Sequence, residues 1–166
     1  SQAQISQGGI PYSFQHEVLK DMVPVQHLPF VDNQTLLNEE TAQIERETFV
    51  FGKEFEVDYN LLNAGLWTDL ANGDRLWRLG ISSENAYSIN LIFNKFYLPE
   101  TAELFIYTKD KSYVLGAFTA KNNIPERVFS TILLPGDEIV IEYYEPKEVK
   151  GQGIIHLSTV VHGYKD

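Results

Sequence analysis

The chain contains no cysteine and only one methionine, Met22. The lack of cysteine excludes disulfide bonds, thiol catalysis and thiolate zinc sites, although it does not fix the compartment. No apolar run reaches the roughly 18 residues that a membrane-spanning helix needs. Positive charge is also scarce, because 13 basic side chains face 23 acidic ones and the formal net charge is -10. That charge repels phosphate backbones and anionic lipid surfaces, so we expect no nucleic-acid partner. The lack of a long apolar run predicts that there is no membrane span.

The first residues are polar and carry no recognisable signal peptide, since the chain opens on Ser1-Gln2-Ala3-Gln4. A cytosolic protein normally begins with methionine, whereas an exported protein loses its signal on processing. We therefore expect a secreted or otherwise extracytoplasmic protein whose signal peptide is absent from this sequence. A cytosolic protein is the alternative.

The chain is rich in aromatic residues and in short segments where apolar and polar residues alternate. From Phe49 onward, apolar residues recur at every second position in short segments, separated by turn sequences such as Asn72-Gly73. About nine such segments, spaced about 10 residues apart, predict an all-β fold. The expected architecture is an antiparallel two-sheet β-sandwich, jelly-roll-like, over residues 49–166. In one segment the alternation predicts that the buried face carries Trp77, Leu79 and Ile81.

Residues 1–48 lack this alternation and are predicted to form an irregular N-terminal arm that packs on the sandwich. Asp32 or Asn33 is placed to cap a short helix within the arm. The apolar residues of that helix are Leu36, Leu37 and Ile44. We expect the arm and the sandwich of residues 49–166 to form a single structural unit.

No catalytic motif is visible, because the chain has no G-x-S-x-G sequence. The four histidines lie in the arm or in the last predicted strand, where we expect surface or edge positions; they are His16, His27, His156 and His162. A composite triad of Asp32 with a distant serine is the remaining catalytic alternative. We expect a non-catalytic segment.

Metal ligands are equally sparse, and no cofactor is predicted. His156 and His162 do not have the spacing of a zinc motif. Structural calcium is the alternative, since predicted turns carry Asp69, Asp74 and Asp137. Asp is common in turns for its own hydrogen bonding, however, and this explains the same three residues without a metal.

The aromatic content favours a glycan as the ligand class, because exposed rings can lie against sugar rings. The candidate surface consists of Trp67, Trp77 and Tyr87, with Tyr97 and Tyr113 as further exposed-ring candidates. The competing interpretation is that Trp67 and Trp77 flank a hairpin and pair across it inside the core.

An acidic stretch near the C-terminus is interpreted as a solvated face. Its members are Asp137, Glu138, Glu142, Glu145 and Glu148. A face of this sign also suits a basic partner, or a protease that favours lysine or arginine.

Several blocks of the sandwich resemble, in succession, one known family. They are Phe51-Gly52, Gly65-Leu66-Trp67, Asn72-Gly73-Asp74, Trp77-Arg78-Leu79, Ala86-Tyr87-Ser88-Ile89-Asn90, Phe96-Tyr97-Leu98-Pro99, Leu104-Phe105-Ile106-Tyr107, Leu115-Gly116-Ala117-Phe118-Thr119 and Gly136-Asp137-Glu138. The chain resembles the N-terminal non-catalytic (pro) region of secreted bacterial trypsin-like serine endopeptidases of the lysyl endopeptidase type. Its opening, from Gln7 to Phe14, is similar to the start of mature secreted proteins of the Bacteroidetes group.

The resemblance implies a propeptide-like accessory domain that assists folding of a secreted serine endopeptidase or masks it. Its partner would be the protease domain of the same precursor, and no catalytic residue carries over to this chain. Lys165 is the possible processing site, since an enzyme that cuts after lysine would separate it from Asp166. The alternative function is an extracellular β-sandwich module that binds carbohydrate or protein.

Overall fold

The computed structural model describes residues 6–16, 22–44 and 52–165. Strands form 46% of the chain and helical segments 12%, which confirms the predicted all-β class. The strands are β1 (Val25–His27), β2 (Lys53–Asn60), β3 (Leu66–Asp69), β4 (Arg75–Ser82), β5 (Ser88–Tyr97), β6 (Glu103–Thr108), β7 (Val114–Phe118), β8 (Phe129–Ser130), β9 (Leu134–Pro135), β10 (Glu138–Glu145) and β11 (Ile154–Gly163). One α-helix, α1 (Asn33–Ile44), joins short 3-10 turns at Tyr12–Phe14, Ala120–Asn122 and Lys147–Val149.

Two sheets pack face to face. Sheet A has the order β1-β4-β10-β6-β7, with β3 on the same edge of β4 as β1, and sheet B has the order β2-β11-β5-β8, with β9 also on β5. From β2 onward the chain passes repeatedly between the sheets, since β2, β5, β8–β9 and β11 belong to sheet B and the strands between them to sheet A. This alternation is that of the predicted jelly-roll-like sandwich.

The hairpin between β3 and β4 forms at the predicted turn. The amide of Leu70 donates to the carbonyl of Asp74 at 2.9 Å, and Gly73 between them has a φ of 91°. Glycine adopts such a φ without the clash that a Cβ would introduce. The turn sets the register in which Trp67 lies opposite Trp77.

The core lies between the two sheets, and the predicted inner face of β4 is confirmed. Trp77, Leu79 and Ile81 are all at most 1% exposed. The intervening Leu76 and Arg78 are also buried, although alternation alone would leave that second face in water.

The N-terminal arm explains the burial of the second face of sheet A. Residues 6–16, here called the strap, bind the edge of β7, where the amide of Gln7 donates to the carbonyl of Ala117 at 2.9 Å. The strap then reaches β6 and β10, because Ser13 binds Glu142 and Phe14 packs edge-on against Tyr107. The strap therefore covers the outer face of sheet A.

The arm also occupies the opposite edge of sheet A. There β1 runs parallel to β4, with Val25 opposite Gly80. A Cβ at Gly80 would lie 2.9 Å from the Cγ2 of Val25, so only glycine allows this close approach.

The helix begins as predicted, because Oδ1 of Asp32 accepts hydrogen bonds from the amides of Gln34 (3.0 Å) and Thr35 (3.4 Å). Among the described residues, no helix has the length and apolar character to cross a membrane.

The strands β8 and β9 are short and pair with successive parts of β5. The predicted start of the sandwich at Phe49 lies outside the described residues, and β2 begins at Lys53. The pairing of β11 with β2 shifts its register between Leu157 and Thr159.

Candidate functional site

Three parts of the chain that are distant in sequence meet at one end of the sandwich, here called the helix end. It comprises residues 30–40 around the start of α1, residues 83–87 between β4 and β5, and residues 162–165 at the end of β11. Asn33 Nδ2 donates to the carbonyl of Asn85 at 2.8 Å, and the amide of Tyr87 donates to the carbonyl of Gly163 at 2.8 Å.

A buried hydrogen-bond chain runs through the helix end. Nε2 of His162 lies 2.7 Å from Oδ1 of Asn33, and Nδ1 lies 2.6 Å from Oγ of Ser83. Because the amide nitrogen of Asn33 donates to Asn85, its Oδ1 is left to accept from the histidine. His162 therefore carries its proton on Nε2, and Nδ1 accepts from the Ser83 hydroxyl.

This order of serine, histidine and amide matches the order of groups in a nucleophilic triad. Ser83 and His162 are both 0% exposed, however, so no substrate carbonyl can reach the hydroxyl in this conformation. Burial lowers the pKa of His162 and favours the neutral ring. Asp32, the acid in the predicted alternative triad, caps α1 instead.

The predicted surface or edge placement is wrong for His162, which is buried. Its strand is central in sheet B, and α1 and the residues after β4 cover its end. His156, on the same strand, is hydrogen-bonded through Nε2 to Asp58 of β2.

The end of the described chain is also held at the helix end. Lys165 Nζ forms an ion pair with Glu40 of α1, whose side chain is 7% exposed. Burial raises the pKa of the neighbouring Tyr164, and a hydrogen bond to Glu40 adds to the effect. The predicted processing residue thus has its side chain bound to the arm.

The three residues of the predicted aromatic surface do not lie together. Trp77 is 1% exposed and donates from Nε1 to the carbonyl of Ala64 at 2.9 Å. Trp67 is half-buried beside it, with Arg75 stacked 3.7 Å from its ring. Tyr87 alone is exposed, at the helix end. The burial of Trp77 removes it from any ligand platform.

Tyr87 has a different aromatic neighbour, which the sequence did not reveal. A cleft of about 430 Å³ lies between residues 30–34 and 85–87, with Phe30 on the first segment and Tyr87 on the second. Phe30 is 67% exposed and Tyr87 is 50% exposed. Only the fold brings them close, because more than fifty residues separate them in the chain.

The acidic stretch is not uniformly solvated, because two of its members are buried. Glu142 is 1% exposed and accepts from the amide of Ser13 at 3.0 Å and from the Tyr107 hydroxyl at 2.7 Å. Burial raises the pKa of Tyr107, and the charge of Glu142 raises it further. Glu145 is 0% exposed and binds Arg75 Nη2 at 2.6 Å. Strand periodicity cannot predict the burial of Glu142, because the strap covers it, whereas Glu145 is in step with the inward-facing Ile141 and Tyr143.

The turn carboxylates considered for calcium have other roles or lie apart. Burial on its own would raise the pKa of Asp74, but hydrogen bonds from Tyr144, Lys147 and Asn72 outweigh it, and the pKa is lowered. Asp137 accepts from the amide of Asn85 at 3.3 Å. Within the described part of the chain, no group of three or more His, Cys, Asp or Glu is placed to hold a metal.

No protein-family model matches the chain. Sequence reasoning missed Phe30, Glu40 and Ser83 at the helix end, and it considered Asn33 only as a helix cap. They belong to no short motif, since each acts on a segment far from it in sequence.

Proposed function

We propose that the chain is a non-catalytic, propeptide-like accessory domain of a secreted serine endopeptidase. The observation that supports it is the fixed end of the sandwich: Tyr164 and Lys165 are held against α1 through the buried Glu40. A protease domain that follows would be attached to a rigid point, because the side chains before the junction are bound. Its partner is that protease domain.

Such attachment gives a physical route to folding assistance. A domain that is already folded presents a fixed surface on which the following domain can complete its own packing. Attachment through a fixed chain end lowers the entropy that is lost when the two domains associate. Masking of the protease ends when the chain is cut near Lys165. For the cut, the lysine side chain must first leave Glu40.

The test is refolding of the protease domain encoded with this chain, with the accessory domain joined, added separately or left out. We expect the joined form to give the highest yield of active protease, measured on a lysine-containing peptide substrate. A bystander β-sandwich of similar size and charge is the control for non-specific effects. Equal yields in all arms, with no inhibition of the mature protease by the added domain, would overturn the proposal.

A second function, an extracellular module that binds carbohydrate or protein, is favoured by the cleft between Phe30 and Tyr87. Two exposed aromatic side chains at one cleft are a feature of binding surfaces. This function is compatible with the first, because the cleft and the chain end lie on different parts of the helix end.

A further inference from the structure

From the cleft between Phe30 and Tyr87 we infer that the domain has a binding site for a short neutral oligosaccharide. The inference rests on the second proposed function and assigns its ligand class. The volume of about 430 Å³ falls within the roughly 300–1,000 Å³ of small-molecule sites.

Two aromatic side chains stand at the cleft beside the apolar Val31 and Ala86. Phe30 contributes from the segment before α1, and Tyr87 contributes from the segment before β5. Both keep at least half of their surface in water, at 67% and 50%. Exposed rings of this kind suit the C–H faces of a sugar, which are apolar but surrounded by hydroxyls.

The polar lining has unused hydrogen-bonding capacity that suits those hydroxyls. Asp32 caps α1 through Oδ1, and within the described residues nothing binds its Oδ2. Gln34 donates to Asn38 through Nε2, and no described residue donates to its Oε1. The side-chain amide of Asn85 also has no hydrogen bond to a described residue. The cleft therefore offers two acceptors and one group that both donates and accepts.

The charge of the lining favours a neutral ligand. The eight residues that line the cleft include the carboxylate of Asp32 and no lysine, arginine or histidine. Most of the amides at the start of α1 are already used, because those of Gln34 and Thr35 bind Asp32 Oδ1 and that of Leu36 binds its carbonyl. A phosphate, sulfate or uronate would meet a like charge with few free donors from the helix.

The two walls are connected, so the site is formed before the ligand arrives. The Asn33 side chain bridges them by donating to the carbonyl of Asn85 at 2.8 Å. Asn85 has a φ of 66°, and its amide donates to Asp137 at 3.3 Å. Preorganisation of this kind reduces the entropy lost on binding.

The test uses the ¹⁵N-labelled chain in NMR titrations with cellohexaose, xylohexaose, mannohexaose and chitohexaose, each to about 5 mM, where even weak binding is detected. We expect at least one of them to shift the amides of residues 30–34 and 85–87 in a saturable manner. Oligogalacturonate, which is acidic, and a lysine-containing hexapeptide are the comparison ligands, and we expect neither to shift these amides.

Variants identify the side chains that bind. We expect Phe30→Ala and Tyr87→Ala each to raise the dissociation constant about tenfold or more, while Tyr87→Phe retains most of the affinity. Asn85→Gly removes the side-chain amide and still permits the positive φ. A loss of affinity in this variant therefore does not reflect backbone strain. Tyr113→Ala is the matched control, since Tyr113 is an exposed tyrosine outside the cleft.

The proposal is overturned if none of the four neutral sugars shifts the cleft amides, or if the shifts persist unchanged in Phe30→Ala and Tyr87→Ala. Shifts caused by oligogalacturonate or by the peptide alone would overturn the neutral-sugar assignment. Binding is measured on the isolated chain and folding assistance on the protease, so failure of one proposal leaves the other standing.

Discussion

His162 connects three segments by using both of its ring nitrogens. Ser83 and Asn33 are its partners, and neither could bind it without the complete fold, since they lie 79 and 129 residues away. Because the ring is neutral and buried, its protonation must work against folding. Glu142 and Glu145 are also buried, and their partners likewise come from the strap or from a distant strand.

The lowered pKa of His162 predicts loss of stability in acid. Below about pH 6.5 the unfolded histidine takes up a proton that the folded one does not, so this residue's contribution falls as pH falls toward the folded pKa. In that range we expect His162 to lower the free energy of unfolding by up to about 1.4 kcal/mol for each pH unit of acidification. Urea unfolding of the wild type and of His162→Gln at about pH 7.5 and 5.5 measures it. The same pH slope in both proteins would contradict the prediction.

Trp77 and Tyr87 are predicted to differ sharply in their effect on stability. Trp77→Ala leaves a cavity in the core and an unpaired Ala64 carbonyl, so we expect a loss of about 3–5 kcal/mol in the free energy of unfolding. Tyr87→Ala changes an exposed side chain, and we expect a change within about 0.5 kcal/mol. Chemical denaturation of both variants checks this, and similar losses would show that the exposure of these residues has been misassigned.

At the level of elements, the N-terminal arm protects sheet A in two ways. The strap covers its outer face, while β1 occupies the edge of β4 that β3 leaves free. An uncovered edge would present unpaired backbone groups to other chains. The arm is therefore part of the fold and supplies one layer of its packing.

The fit of β1 against β4 depends on Gly80. In Gly80→Val the new side chain would collide with Val25 and Pro24, so we expect β1 to leave the edge at a cost of about 1–3 kcal/mol. Hydrogen exchange of the Leu28 amide, which donates to the Ser82 carbonyl at 2.9 Å, reports on this contact. Ser130→Val on the exposed side of β8 is the matched control. Unchanged protection of Leu28 in Gly80→Val would disprove the dependence.

At the level of the whole molecule, local patterns predicted the sandwich, its Asn72-Gly73 hairpin and the Asp32 cap, because each depends on neighbours in sequence. They did not predict that Glu142 is buried, since its cover comes from Ser13 in the strap. The Phe30–Tyr87 cleft was missed for the same reason. The arrangement of the helix end depends on contacts between distant segments, and turn and strand patterns carry no information about them.

The contact between arm and chain end predicts protection of the bond after Lys165. Cleavage there requires the lysine to leave Glu40, and proteolysis follows the population of such open states. In Glu40→Gln the charge is lost while an acceptor for Tyr164 remains. A charge-assisted hydrogen bond to a lysine that is about one-third exposed contributes about 1 kcal/mol after screening, so we expect about fivefold faster cleavage.

The measurement is limited proteolysis of the folded chain, extended by a short Gly-Ser tail after Asp166, with a lysine-specific serine endopeptidase and mass spectrometry. Lys150 provides an internal control, because it is exposed in the β10–β11 connection and far from Glu40 in the fold. Its cleavage rate should be the same in both proteins, whereas a parallel increase would indicate general loosening. Equal rates of cleavage after Lys165 in wild type and Glu40→Gln would mean that the ion pair does not protect this bond. The fixed chain end would then no longer support the proposed function.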